Sequence, residues 1–105
     1  MTWVIKYTEE ASKDLEELDN SQKIQVFKAI KKVSGNPLPN IEGGYGKPLG
    51  NHSVTRLAGY LKITLKRLGL RVVYGLVREN KTMNIIIISV RSDETVYKMA
   101  QQRIK

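Results

Sequence analysis

Apolar and polar positions alternate in "TWVIKY", with Trp3, Ile5 and Tyr7 against Thr2, Val4 and Lys6. This two-residue period predicts a short strand. Thr8 follows as a helix cap, and Glu9 and Glu10 occupy a first turn where carboxylates meet the positive end of the helix dipole. Ala11, Leu15 and Leu18 recur at helical spacing until "LDNSQK" interrupts them, and Asp19 or Asn20 can cap a second helix. Ile24, Phe27, Ile30 and Val33 give that helix its buried side, with Val26 on the flank, and "SGNPLP" closes it through Gly35 and Pro37. Two helices joined by a tight turn make an αα-hairpin.

Residues 36–53, "NPLPNIEGGYGKPLGNHS", are dense in proline and glycine and read as a surface loop. Alternating apolar segments then predict a meander: "VTRLA" (54–58) running close to "YLKITLK" (60–66), "RVVYGLV" (71–77) and "MNIIIISVR" (83–91). "DETVYKMAQQRI" (93–104), capped by Ser92 or Asp93, predicts a short C-terminal helix. The order β-α-α-β-β-β-α implies an α+β two-layer domain, the N-terminal strand and αα-hairpin packing on an antiparallel β-sheet. "NIIIISV", the most apolar strand, belongs in the sheet interior, and the sheet face away from the hairpin is left to solvent or ligand. At 105 residues, one domain spanning 1–105 is expected.

Charge changes the picture of that second face. The net charge of +8 comes entirely from residues 51–105, which hold eleven cations against Glu79, Asp93 and Glu94, whereas residues 1–50 balance. Such asymmetry points to a polyanionic partner, nucleic acid first and an acidic protein second. In "YLKITLK", Leu61, Ile63 and Leu65 share one face, and Tyr60, Lys62, Thr64 and Lys66 the other. A turn centred on Leu68 and Gly69 sets Lys66 opposite Arg71 and Lys62 opposite Gly75, whose missing side chain leaves room for a ligand. Strand lysines also keep an exposed face wet and block edge pairing. That accounts for Lys62 or Lys66 singly, but less well for an arginine beside "VVY".

The remaining chemistry is narrow. There is no cysteine, hence neither a disulfide nor a thiolate site, and His52 is the single histidine. It lies in the Gly/Pro-rich loop and is expected to be exposed. The acids fall mostly on the first two helices, in no cluster suited to Mg²⁺, so no metal or cofactor is expected. No apolar run reaches the length of a signal peptide or membrane span, and a soluble, cytoplasmic protein with no membrane partner is the expectation.

"KPLGN", "LAGYLKITLKRLGLRVVYGLV", "IIIISVR" and "RSDETVYKMA" together resemble the RelE branch of the RelE/ParE toxin superfamily, over essentially the whole chain. The resemblance implies a type II toxin–antitoxin toxin: a ribosome-dependent endoribonuclease that enters the A site of the small subunit and cuts mRNA, neutralised by a RelB-like antitoxin. By the same resemblance the family's catalytic positions fall on Lys62 in "LKITL", Arg71 in "GLRVVY", Arg91 in "SVRSDE" and Tyr97 in "TVYKMA". The pattern often has a second lysine two residues after the first, associated with deprotonating the 2′-hydroxyl; here that position is Thr64.

Cleavage by the adjacent 2′-oxygen requires that oxygen to be deprotonated and aligned, the phosphorane charge stabilised and the 5′-oxygen protonated; positioning and cationic stabilisation can supply much of the acceleration. Arg71 is assigned to the scissile phosphate, since a guanidinium forks onto phosphate and stays charged. Arg91 is assigned to a second phosphate contact and the leaving group, Lys62 to the backbone or the base, and Tyr97 to stacking or a hydrogen bond near the 2′-oxygen. Without the resemblance, Tyr97 reads as helix packing beside Val96 and Ala100. Lys66, Arg67, Arg56 and Lys98 are assigned to RNA binding, with Arg103 and Lys105 in the same role. Trp3 and Tyr7 are expected in the core. Two other readings are a ParE-like toxin that inhibits gyrase without catalysis, and an RNA- or ribosome-binding homologue impaired at Thr64.

Overall fold

The computed structural model describes residues 2–49, 60–90 and 93–103. Its elements are β1 (Val4–Tyr7), α1 (Glu9–Glu16), α2 (Asn20–Ser34), a 3₁₀ turn (Asn40–Glu42), β2 (Lys47–Pro48), β3 (Tyr60–Leu65), β4 (Leu70–Val77), β5 (Thr82–Ser89) and α3 (Asp93–Arg103). The five strands form one sheet in the order β1-β5-β4-β3-β2. The expected α+β class and the C-terminal helix hold. The segment 54–58 and His52 lie outside the described residues.

Both caps form as the local sequence dictates. Thr8 Oγ1 accepts the Ala11 N–H at 3.1 Å. Asp19 accepts the Gln22 N–H at 2.8 Å while the Gln22 side chain takes the Asp19 N–H, a reciprocal capping box. The buried stripe of α2, however, is Val26, Ile30 and Val33, while Ile24 and Phe27 are 53 % and 46 % exposed. The Ile24/Phe27 and Val26 stripes share Ile30 and Val33, and contact with the sheet selects the second.

Three placements differ from the sequence expectation. Strand β1 runs parallel to β5, Val4 opposite Thr82 and Tyr7 opposite Ile85, so the sheet is mixed at that edge; α1 and α2 lead from β1 to β2 at the opposite edge, and the chain returns through β3 and β4 to β5. Within "GKPLG", Lys47 and Pro48 pair with Lys62 and Leu61 as a two-residue edge strand inside the expected loop. The β3–β4 register is two residues from expectation: Tyr60 opposes Gly75, Lys62 opposes Val73 and Thr64 opposes Arg71. A two-residue slip keeps every side chain on its expected face, because the strand period is also two.

The faces are consequently well defined. Leu61, Leu70, Val72, Tyr74, Met83, Ile85 and Ile88 are buried with Ala11, Val26, Ile30 and Val33 between the sheet and the hairpin, with Trp3 and Tyr7 packed against them. Val73, Ile86, Ile87 and Leu49 are buried on the other side with Val96 and Ala100 of α3. The second face is therefore partly roofed by α3. The β4–β5 register shifts between Val73 and Tyr74, leaving Ile86 without an opposite residue on β4. That bulge lets four successive isoleucines serve both faces.

Candidate RNA-binding and catalytic face

The expected cationic face exists, with its residues regrouped. Across three strands Thr64, Arg71 and Ser89 form one row, and Lys62, Val73 and Ile87 the next. Lys62 and Arg71 are diagonal neighbours on one face, about 7–8 Å apart by the geometry of antiparallel strands. Both are half-buried, and Ser89 is buried. The space expected beside Lys62 at Gly75 is filled: a Cβ on Gly75 would come within 2.8 Å of the Tyr60 ring, so glycine here admits an aromatic side chain from β3.

Helix α3 closes one side of the face. Lys62 Nζ donates to Tyr97 Oη at 2.8 Å and lies 5.3 Å from the centre of the Tyr97 ring. Tyr97 also packs against the second apolar cluster. The one side chain thus makes both contacts: the ring rests on the core and the hydroxyl reaches the cation.

Of the expected catalytic set, Lys62, Arg71 and Tyr97 share this face, and Arg91 lies outside the described residues. Of the expected RNA-binding set, Lys66 and Arg67 are exposed in the β3–β4 turn, and Lys98 is exposed on α3 beside Tyr97. Lys66 does not pair with Arg71, because β3 ends at Leu65 and the chain turns before it. Arg56 and Lys105 lie outside the described residues. Lys47 was missed by sequence reasoning: it sits directly opposite Lys62. Between Gly46 and Pro48 it offers no alternation to reveal a strand. Like charges opposed across a ladder are unfavourable.

Arg103 is not available as an RNA contact. Its Nη1 bonds Asp14 Oδ2 at 2.7 Å and the Ile86 carbonyl at 2.8 Å, and its Nη2 bonds Asp14 Oδ1 at 3.2 Å. Glu10 adds a carboxylate oxygen 3.6 Å from its Nε. The bond to Asp14 raises the guanidinium pKa, against the opposing effect of partial burial. Among the described residues no group of three or more His, Cys, Asp or Glu could hold a metal ion. No helix among them is long and apolar enough to cross a membrane.

These features define a small α+β domain with a cationic sheet face and a helix-borne tyrosine at its edge. Its relatives are RelE-like. No protein-family model matches the chain. A curated Escherichia coli protein described as RelE-like toxin is 26 % identical over 106 residues, covering all of both chains. The structure of the toxin–antitoxin complex RelBE2 from Mycobacterium tuberculosis is similar at 26 % identity, with a TM-score of 0.68 over 89 % of this chain and 95 % of that one. A mutant of the E. coli toxin RelE in the free state has the same fold, with a TM-score of 0.73, 22 % identity and full coverage of both chains. Sequence and fold together support the resemblance to the RelE branch of the RelE/ParE toxin superfamily.

Proposed function

We propose that this chain is the toxin of a type II toxin–antitoxin pair and acts as an endoribonuclease on mRNA in the ribosomal A site. The observation that supports this most is the 2.8 Å hydrogen bond from Lys62 to Tyr97, which joins sheet and helix on the same face as Arg71. The relatives support the toxin class, and the mycobacterial complex supports an antitoxin as partner.

On this reading the RNA backbone lies along the face, its phosphates drawn by Lys47, Lys62, Lys66 and Arg67. The Arg71 guanidinium forks onto the scissile phosphate and stabilises the charge that grows on it as the 2′-oxygen attacks phosphorus. With threonine at 64, the 2′-proton goes to the Lys62–Tyr97 pair in the form that is one proton short: the phenol oxygen takes the 2′-proton as its own proton passes across the 2.8 Å hydrogen bond to the Lys62 amine, which becomes the ammonium. Arg91 supports the departing 5′-oxygen, which takes a proton from water as the P–O bond breaks; the hydroxide left behind is neutralised by the proton held on the Lys62–Tyr97 pair, which returns to its starting form. No step calls for a metal ion. The half-buried setting of Lys62, Arg71 and Tyr97 keeps the groups oriented before substrate arrives, which is where such catalysis gains most of its rate.

Induced expression in growing cells tests the proposal. Translation should stop, and primer extension should find cuts within codons of translated messages and none in untranslated controls. Intact messages during growth arrest would overturn the nuclease reading, and a DNA-damage response alongside them would favour a gyrase-directed toxin. Activity of the purified protein on programmed ribosomes should survive exchange of Mg²⁺ for a cation that holds the ribosome together without acting as a Lewis acid.

A further inference from the structure

We infer that Asp14 and Arg103 are positioning residues for Tyr97, acting through α3; the inference rests on the nuclease reading above. Val96, Ala100 and Arg103 recur at helical spacing. The first two are buried in the second apolar cluster, and Arg103 ends the stripe with only 15 % of its side chain exposed. Val96 and Ala100, with Tyr97 and Met99 packed beside them, hold the helix against the sheet, but apolar contacts carry no direction and set its roll and slide less sharply than a directional bond does. The fork of Arg103 on both oxygens of Asp14 sets them, because two parallel bonds fix direction as well as distance.

The anchor beneath that fork is backbone. Strand β1 ends at Tyr7, opposite Ile85, so Ile86 and Ile88 have no β1 neighbour, and the bulge has removed the β4 partner of Ile86. Arg103 donates to the Ile86 carbonyl, and Asp14 Oδ2 accepts the Ile88 N–H at 3.1 Å. The pair thus takes the place of the missing strand edge and satisfies two backbone groups that would otherwise lack a ladder bond. It also ties three elements together: α1 through Asp14, β5 through Ile86 and Ile88, and α3 through Arg103. Ser89, opposite Arg71, lines the same cleft of about 500 Å³ as Asp14, Met99 and Arg103. The clamp therefore stands next to the row that holds Arg71, and Tyr97 is six residues, about 9 Å along the helix, from its other end. A small roll of α3 about the Val96–Ala100 contact would carry Tyr97 Oη away from Lys62.

The test is a double-mutant cycle on single-turnover cleavage of ribosome-bound mRNA by the purified full chain. Arg103→Met should slow cleavage by about 10- to 100-fold, the scale of a misplaced reacting group, with ribosome affinity unchanged. In a Tyr97→Phe background the same substitution should slow it no further, because the group it positions is already gone. Arg103→Lys, which keeps the charge opposite Asp14, should recover part of the rate. Equal losses in both backgrounds would mean a general structural role and overturn the inference, as would an unchanged rate in Arg103→Met. A second readout does not depend on activity: 3-fluorotyrosine in place of Tyr97 reports its surroundings by ¹⁹F NMR. Arg103→Met should shift or broaden that resonance in folded protein, and an unmoved line would overturn the positioning claim. If the wild-type chain cleaves nothing while the resonance responds, the nuclease reading fails and the mechanical linkage stands.

Discussion

Tyr74 offers a sharp test of how the loop carrying Lys47 is held. Its ring is fully buried in the main cluster and its hydroxyl donates to the Pro37 carbonyl at 2.8 Å. Gly46, beside Lys47, lies so close that any Cβ there would overlap the Tyr74 oxygen. Tyr74→Phe keeps the ring and its packing and removes one buried hydrogen bond, leaving the Pro37 carbonyl unsatisfied. That costs about 1–2 kcal/mol. With an unfolding entropy of about 2.1 cal/mol/K per residue over 105 residues, Tm should fall by about 5–9 °C in calorimetry at neutral pH. The urea m-value should not change, since the exposed surface is the same. Burial also raises the Tyr74 phenol pKa above its ordinary 10.0. A raised folded-state pKa gives stability that is present below the unfolded value and lost as pH climbs through the folded one. The gap between wild type and Tyr74→Phe should therefore narrow from about pH 10 upward. A Tm within about 1 °C of wild type, or a gap that widens in alkali, would refute the assignment of that hydroxyl.

Two other substitutions probe the frame. Asp19→Ala removes one half of the capping box and should cost about 1 kcal/mol in urea denaturation; an unchanged midpoint would mean α2 does not depend on that cap. Glu42→Gln breaks the two-bond contact between the 3₁₀ turn and Arg78 at the end of β4. Both side chains are solvent-exposed, so the fall in Tm should be smaller than for Tyr74→Phe. The hydrogen bond from Arg78 holds the Glu42 carboxyl below its usual 4.5. Its contribution is present above that value and lost as pH falls, so wild-type and Glu42→Gln melting curves should converge in acid.

Much of this arrangement is legible from local pattern. The caps at Thr8 and Asp19, the three long strands and the face shared by Lys62, Thr64 and Arg71 follow from periodicity and from residue types with a strong positional preference. What escaped depends on contacts between distant segments. The roll of α2 is settled by the sheet it meets, since Ile30 and Val33 fit either of two stripes. The β3–β4 register is settled by how many residues the turn consumes, and here Lys66 is one of them. The parallel pairing of β1 with β5, and the strand character of Lys47, exist only once the partner strand is present. Arg103 looked like one more surface cation because nothing near it in the chain is acidic beyond Asp93 and Glu94. Its partner Asp14 lies 89 residues away.

The most direct test of the central claim is single-turnover cleavage of an A-site codon on programmed ribosomes by the purified wild-type chain and by Arg71→Ala. The wild-type chain should cut ribosome-bound message and leave the same RNA whole when free. Arg71→Ala should bind the ribosome but cut about 100- to 1,000-fold more slowly, the usual loss when a preorganised stabiliser of transition-state charge is removed. Equal cutting by both proteins, or an intact message with the wild-type chain bound in the A site, would contradict the assignment of this face to catalysis.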